Sequence, residues 1–501
     1  MAPRPAFCSA PLGQGSEMTM REIARLDTDG MPGNTGMRRR DFLRGAGGGA
    51  VAAATGLLAP RQATAGTGDS SSSGLDRSLL ATYPQVTRRT QEWRWGRVRK
   101  LMEANNLQVL LVIPGGPFDD PSSYMTNAGK GIVFFPLAGD PVVFVPMNSG
   151  AMAVDPLMKN EAAGIESWIR DWRFNQGSPD EIVSLLQERN LASARIGTVG
   201  VEKTGHMARR TGNWRPGGLG NFIRAKLPGT TLVELWDPFM ALWLVKNDEE
   251  LAMFRKAGAA MEVAAELYSE ACRPGNTLAD VMIATTSELI RHGVNVAFPT
   301  IGCGPNGGAR WGGGITWLDY GLPPPVIRRG DLVGSEIFSY VGQLHAQGQV
   351  SVSVGKPSPK VRELADIARE AYEISVRAAR AGITFRELAE AAAAPHRRTG
   401  AWHLTPRIHT LNPLEGVDAI TEGMFGPRGF PGVKERFGSV KVPELPMDGG
   451  DLVLAENMTI QFENNAAFED TYVVLGGNLI VTRDGCEALN DISCRLIVMG
   501  G

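Results

Sequence analysis

Gly330-Asp331-Leu332-Val333-Gly334-Ser335-Glu336-Ile337-Phe338-Ser339-Tyr340-Val341-Gly342-Gln343-Leu344-His345-Ala346-Gln347-Gly348-Gln349-Val350-Ser351-Val352-Ser353-Val354-Gly355 reads as two strands. Leu332 to Phe338 is the first and Gln347 to Val354 the second, joined by a short turn that contains glycine. Val350, Val352 and Val354 alternate with Ser351 and Ser353, so one face is apolar and the other small and polar. Glu336 and Gln347 sit eleven residues apart, one on each strand. An antiparallel pair with that spacing brings both side chains to the same region of one sheet face. By spacing alone, solvent exposure of that face is the lesser of the two reasons for an acid and an amide there, a site the greater.

The stretch resembles the first metal-ligand segment of the pita-bread superfamily, which includes aminopeptidase P, prolidase, methionine aminopeptidase and creatinase. In the metal-binding members two aspartates occur there with the same spacing. Here Glu336 and Gln347 replace them, while the framing Gly330-Asp331 and Gly355-Lys356-Pro357-Ser358-Pro359 is kept. The resemblance implies an α/β N-terminal creatinase-type domain, then an α+β pita-bread domain with internal pseudo-two-fold symmetry.

The residues support that symmetry independently. Arg273-Pro274-Gly275-Asn276-Thr277-Leu278 is echoed 107 residues later by Arg380-Ala381-Gly382-Ile383-Thr384-Phe385. Each closes a long helical pattern and caps a second one. The first long helix opens at Asn247 with Glu250 as a capping box, and its apolar face runs through Leu251, Phe254, Ala257, Met261, Ala264 and Tyr268. Thr384 and Glu387 form another box, and Ser358-Pro359 starts the helix before it.

Upstream, residues 79–244 read as an α/β domain. A helix over Trp93–Met102 precedes strands at Val109–Ile113, Gly131–Pro136 and Pro141–Pro146. A helix at Pro179–Leu191 and a strand at Arg195–Val199 follow. Trp168, Arg170, Trp172 and Arg173 either line a pocket or pack at a domain face. Residues 245–501 are the pita-bread domain. Residues 66–78, rich in Gly and Ser, read as a flexible linker. Residues 1–65 resemble a twin-arginine export signal, with Arg39-Arg40-Asp41-Phe42-Leu43, a Gly/Ala stretch and the small-residue site Ala63-Thr64-Ala65. Met37 is an alternative start. The resemblance implies export by the twin-arginine machinery and a periplasmic or secreted product.

Composition narrows the classes. A 501-residue chain that is 43% hydrophobic has ample core for two domains. A formal charge of −2 offers no footprint for nucleic acid, and no run of eighteen apolar residues reads as a membrane span. Five cysteines, Cys8, Cys272, Cys303, Cys486 and Cys494, show no regular spacing. Cys486 and Cys494 are near enough in sequence to pair, but nothing demands a disulfide framework.

The resemblance also implies site residues. In the family two aspartates, one histidine and two glutamates hold a pair of divalent metals whose hydroxide attacks the scissile amide. These positions fall here on Glu336, Gln347, His409 (with His403 as competitor), Glu463 and Gly476. A substrate-binding histidine position of the family falls at Arg310-Trp311, where an arginine suits a substrate carboxylate. Two readings of the cofactor follow. Either one divalent cation (zinc, manganese, iron or cobalt) is bound by Glu336, His409 and Glu463, or the site works without metal, as in creatinase, with His409 moving protons. The expected function is cleavage of a C–N bond in a small amide- or guanidino-like substrate or a short Xaa-Pro peptide. The alternatives are a pita-bread domain that only binds, or a lyase on the same fold. The family default is a homodimer.

Overall fold

In the computed structural model, residues 77–115, 120–127, 131–145, 157–174, 179–203, 218–307, 314–402, 406–419, 427–429, 432 and 449–500 are described. The signal-like region, the linker up to residue 76, Arg310, Trp311 and His403 lie outside them. Among the described residues no helix is long and apolar enough to cross a membrane.

Two sheets organise the chain. The first has six strands: β1 (Val109–Val112), β2 (Ile132–Pro136), β3 (Val142–Val145), β4 (Asp171–Phe174), β5 (Arg195–Val199) and β6 (Thr231–Glu234). Their order is β4-β3-β2-β1-β5-β6. β1, β5 and β6 run parallel, and β2 is antiparallel to both its neighbours. Helix α1 (Arg88–Ala104) ends at Asn105, where its apolar pattern stops, but starts on a Thr87 cap ahead of Trp93. Trp168 is packing rather than pocket lining. Its carbonyl accepts from Gln91 Nε2, and Arg94 lies 5.3 Å over its ring.

The second sheet contains β7 (Asn295–Gly304), β8 (Leu332–Val341), β9 (Leu344–Val354), β10 (Pro406–Thr410), β11 (Val417–Ala419), β12 (Thr459–Glu463), β15 (Gly476–Val481), β16 (Cys486–Ala488) and β17 (Ile497–Met499). The main path is β11-β10-β12-β15-β9-β8-β7. A separate ribbon pairs β13 (Ala466–Phe468) with β14 (Thr471–Val473). The β8–β9 hairpin is longer than its sequence pattern predicts, with ladder pairs from Leu332↔Ser353 to Val341↔Leu344. Its apolar face is core. Val333, Ile337, Val350 and Val352 cluster with Phe254, Ala257, Met261 and Tyr268 of α2 (Asp248–Ala271).

The pseudo-two-fold extends to individual hydrogen bonds. α2 is followed by α3 (Leu278–Arg291), just as α4 (Pro359–Ala378) is followed by α5 (Phe385–Thr399). Thr277 with Asp280, and Thr384 with Glu387, complete capping boxes. Between each pair a glycine takes a left-handed φ, +96° at Gly275 and +90° at Gly382, which a side chain rarely tolerates. Gly275 N donates to Ile327 O and Leu278 N to Pro325 O. The matching bonds in the second half are Gly382 N to Leu454 O and Phe385 N to Leu452 O. Each half thus ties its helix junction to one extended segment in the same way.

Cys486 and Cys494 do not pair. Both are free thiols, as are Cys272 and Cys303. The Cys486 Sγ approaches Val376 O at 3.4 Å, and the Cys494 Sγ approaches Asn490 O at 3.6 Å.

Candidate functional site

The polar face of the second sheet is buried rather than wet. Glu336 is 8% exposed, Glu463 3%, and Gln347 and His409 1% each, which removes solvent exposure as the reason for an acid–amide pair. Register places these side chains in two adjacent rows. In the first, Glu336 faces Gln349, Gln349 faces Gly476, and Gly476 faces Glu463. In the second, Phe338 faces Gln347, Asn478 faces Gln461, and Gln461 faces His409. Glu336 and Gln347 are therefore diagonal neighbours, within reach for long side chains.

Gln347 ties the rows together. Its Nε2 donates to Oε1 of Glu336 and to Oε1 of Glu463. His409 Nε2 lies 3.0 Å from the same Glu463 oxygen, and its Nδ1 lies 2.8 Å from Thr410 O. A carbonyl only accepts, so Nδ1 carries a proton. The contact between Nε2 and Glu463 then requires one more proton, on the imidazole or on the carboxyl. Burial, and then the charge of Glu463, push the Glu336 carboxyl well above its usual range, against the opposing amides of Gln347 and Gln349. The arrangement thus holds dissociable protons on both sides of one amide.

Backbone support for Gln347 comes from a neighbouring side chain. β9 and β15 share a single register pair, Gly476↔Gln349. Beyond it, Asn478 Oδ1 accepts from Gln347 N at 3.0 Å and Asn478 Nδ2 donates to Gln347 O at 2.8 Å. His409 reaches the site because β10 pairs with β12, setting His409 opposite Gln461.

Three of the five positions that the resemblance makes metal ligands carry a carboxylate or imidazole, and they do not fit a two-metal centre. Gln347 turns donors, not acceptors, towards both carboxylates. At Gly476 nothing replaces the carboxylate. A Cβ there would lie 2.2 Å from Phe462 O, 2.9 Å from Gln349 Cγ and 3.1 Å from Gln461 Nε2. The volume of the missing side chain is taken by two glutamines. The single-cation arrangement of Glu336, His409 and Glu463 is not formed either, because the Gln347 nitrogen stands between the carboxylates. Among the described residues no three His, Cys, Asp or Glu side chains are placed to hold a metal ion.

Sequence reasoning missed Gln349, Gln461 and His345, all on this face. Each lies two residues from a residue it did single out, so strand periodicity pointed to all three. Burial, and then nearby His409, push His345 down to about 3, which keeps its ring neutral.

Residues 252–481 match the profile described as Metallopeptidase family M24. A probable dipeptidase PepE of Mycobacterium tuberculosis strain H37Rv is 25% identical over 266 residues, or 52% of this chain, which spans 63% of that relative's length. Among solved structures, dipeptidase PepE from Mycobacterium ulcerans superposes with a TM-score of 0.58 at 20% identity, covering 83% of this chain and 99% of that one. The X-Pro aminopeptidase from Thermotoga maritima MSB8 gives 0.58 at 17% identity, covering 81% and 99%. At these identities the likeness speaks for the fold. Residues 252–481 thus match an M24 metallopeptidase domain, and with the duplicated helix junctions the chain has the pita-bread fold.

Proposed function

We propose that this chain is an exported hydrolase that cleaves a C–N bond in a small amide- or guanidino-like substrate or a short Xaa-Pro peptide. The observation that carries the reading is the buried set of Glu336, Gln347, Glu463 and His409, in which one amide links a neutral-leaning carboxyl to a hydrogen-bonded His–Glu pair. Hydrolysis needs a base for the attacking water and an acid for the leaving nitrogen. The outer oxygen of Glu463, Oε2, which has no hydrogen-bond partner among the described residues, takes the water proton as the water oxygen bonds to the carbonyl or guanidino carbon, while His409 holds the inner oxygen. Glu336 gives its proton to the nitrogen as the C–N bond breaks. The names of the relatives, dipeptidase and X-Pro aminopeptidase, support peptides as the first substrates to try.

The test is turnover of a panel of Xaa-Pro dipeptides and guanidino acids by the purified chain, with and without chelator. Turnover that survives chelator and is lost in His409→Gln is expected. Saturable binding of these compounds with no turnover would replace the hydrolase by a non-catalytic pita-bread binding protein. The Arg39-Arg40 motif supports export; protein recovered from the periplasm with its first residue at Gly66 is the expected result. A homodimer is part of the same proposal, and light scattering of the purified chain tests it.

A further inference from the structure

A buried pair of carboxylates needs something positive, or a proton, to be tolerated. In this site both inner oxygens, Oε1 of Glu336 and Oε1 of Glu463, converge on one atom, the side-chain nitrogen of Gln347. That nitrogen has two N–H bonds and no lone pair to give. The amide's oxygen points elsewhere and, among the described residues, has no hydrogen-bond partner, as is also true of the Gln461 Oε1 and of the outer Glu463 oxygen. The Gln347 backbone is fixed on both sides by Asn478, so the side chain is presented from a held strand. The neighbouring position at Gly476 has no room for a ligand side chain.

We propose that the Gln347 amide nitrogen takes the place of a cation between Glu336 and Glu463, so that this centre is complete without a metal ion. The inference concerns the site of the proposed hydrolase, yet it stands or falls on metal binding and stability rather than on turnover. A cation between the two carboxylates would need the same two oxygens at metal–ligand distances and would face the positive ends of two N–H dipoles. One residue therefore makes the difference. Aspartate or glutamate at 347 would remove both donors and add a third carboxylate beside Glu336, Glu463 and His409, a set that a divalent cation can hold together.

The experiment is elemental analysis of the chain purified without added metal, together with thermal unfolding of wild type, Gln347→Asp and Gln347→Met. Each is unfolded in chelator and in millimolar Mn²⁺, Co²⁺ or Zn²⁺. Wild type is expected to carry well under ~0.1 metal ion per chain and to unfold within about 1 °C of the same temperature under all conditions. Q347D is expected to unfold roughly 5 °C or more lower in chelator and to regain most of that with metal. Q347M, which keeps the volume and loses the donors, is expected to unfold at a lower temperature than the wild type in chelator. Near-stoichiometric metal in the wild type, or a wild-type midpoint that rises with cations, would overturn the proposal. So would a Q347M midpoint equal to that of the wild type. If Q347D does not fold, the wild-type metal content and the Q347M midpoint still decide. Metal-free protein with no turnover would sink the hydrolase and leave this inference standing. Turnover that depends on a tightly bound cation would do the reverse.

Discussion

Glu336 shows what burial does to a carboxyl that has an anionic neighbour. Its folded pKa lies well above the ordinary value, first through burial and then through Glu463. Such a group binds its proton more tightly folded than unfolded. Its contribution to stability is complete below the unfolded pKa of about 4.3 and declines as pH climbs through the raised folded value. Glu336→Gln keeps the shape and removes the titration. Between about pH 5 and pH 8 the urea midpoint of the wild type is expected to fall relative to that of E336Q. Parallel profiles would refute it. The difference between the two proteins carries the test, because other groups titrate in both. Burial raises Glu262 to about 7, with the same sign as Glu336. Burial lowers His396 to about 3, so its contribution is lost as pH drops below the unfolded histidine value. Gly476 sets a different limit. Alanine there puts a Cβ 2.2 Å from a carbonyl oxygen of the adjacent strand, and backbone cannot step aside as a side-chain tip can. A loss of roughly 2–3 kcal/mol by urea denaturation is expected, and a neutral G476A would mean that the strands part easily at this point.

At the scale of elements, the junction of β9 with β15 depends on one side chain. Asn478 stands in for the missing ladder and satisfies both backbone groups of Gln347. Asn478→Leu strands a buried donor and a buried acceptor, at about 1–3 kcal/mol each. The expected signs are a lower urea midpoint and faster hydrogen exchange at the Gln347 amide, with distant amides on β7 unchanged. Uniform loss of protection across the sheet would mean that the bridge is not local. The same junction shows where the sequence was legible and where it was not. The β8–β9 hairpin announced itself because its valines and serines alternate, and the duplicated helix junctions did so because caps and left-handed glycines leave fixed residue types. Asn478 carried no such mark. It acts by filling a gap between strands that are distant in sequence, and no local pattern encodes a gap. His409 sits on a five-residue strand whose partner towards the site, β12, lies some fifty residues on, so only its imidazole drew attention to it. The filled volume at Gly476 was illegible for the opposite reason. The sequence shows a missing carboxylate, but only the register shows that Gln349 and Gln461 occupy its place.

Over the whole molecule, the helix before the first sheet is locked to the first long helix beneath the second, and the lock is buried. Arg94 of α1 donates through Nη2 to Glu250 Oε1 at 2.7 Å and through Nη1 to Tyr124 O at 2.8 Å. Its guanidinium lies 4.6 Å over the Tyr124 ring. Glu250 is also the return half of the capping box that starts α2, accepting from Asn247 N at 2.9 Å. Around them Asn247 Nδ2 donates to Thr90 Oγ1, and Thr87 donates through N and Oγ1 to Glu249. A surface ion pair would add little. Here both partners are almost wholly buried, so the cost falls on whichever charge is left behind. Arg94→Met keeps the bulk against Tyr124 and Trp168 but strands the Glu250 carboxylate, and about 3–5 kcal/mol of stability is expected to go. Glu250→Gln in the same chain removes the stranded charge while preserving an oxygen for the Asn247 backbone. The double variant is therefore expected to recover part of the loss, with a coupling above roughly 1 kcal/mol in a double-mutant cycle. Urea unfolding followed by tryptophan fluorescence reports on both sheets at once. If R94M costs less than about 1 kcal/mol, or the two substitutions simply add, the helices are held by apolar contact and the ion pair is incidental. If the loss appears as a second, earlier transition, the pair is what makes the two sheets unfold as one.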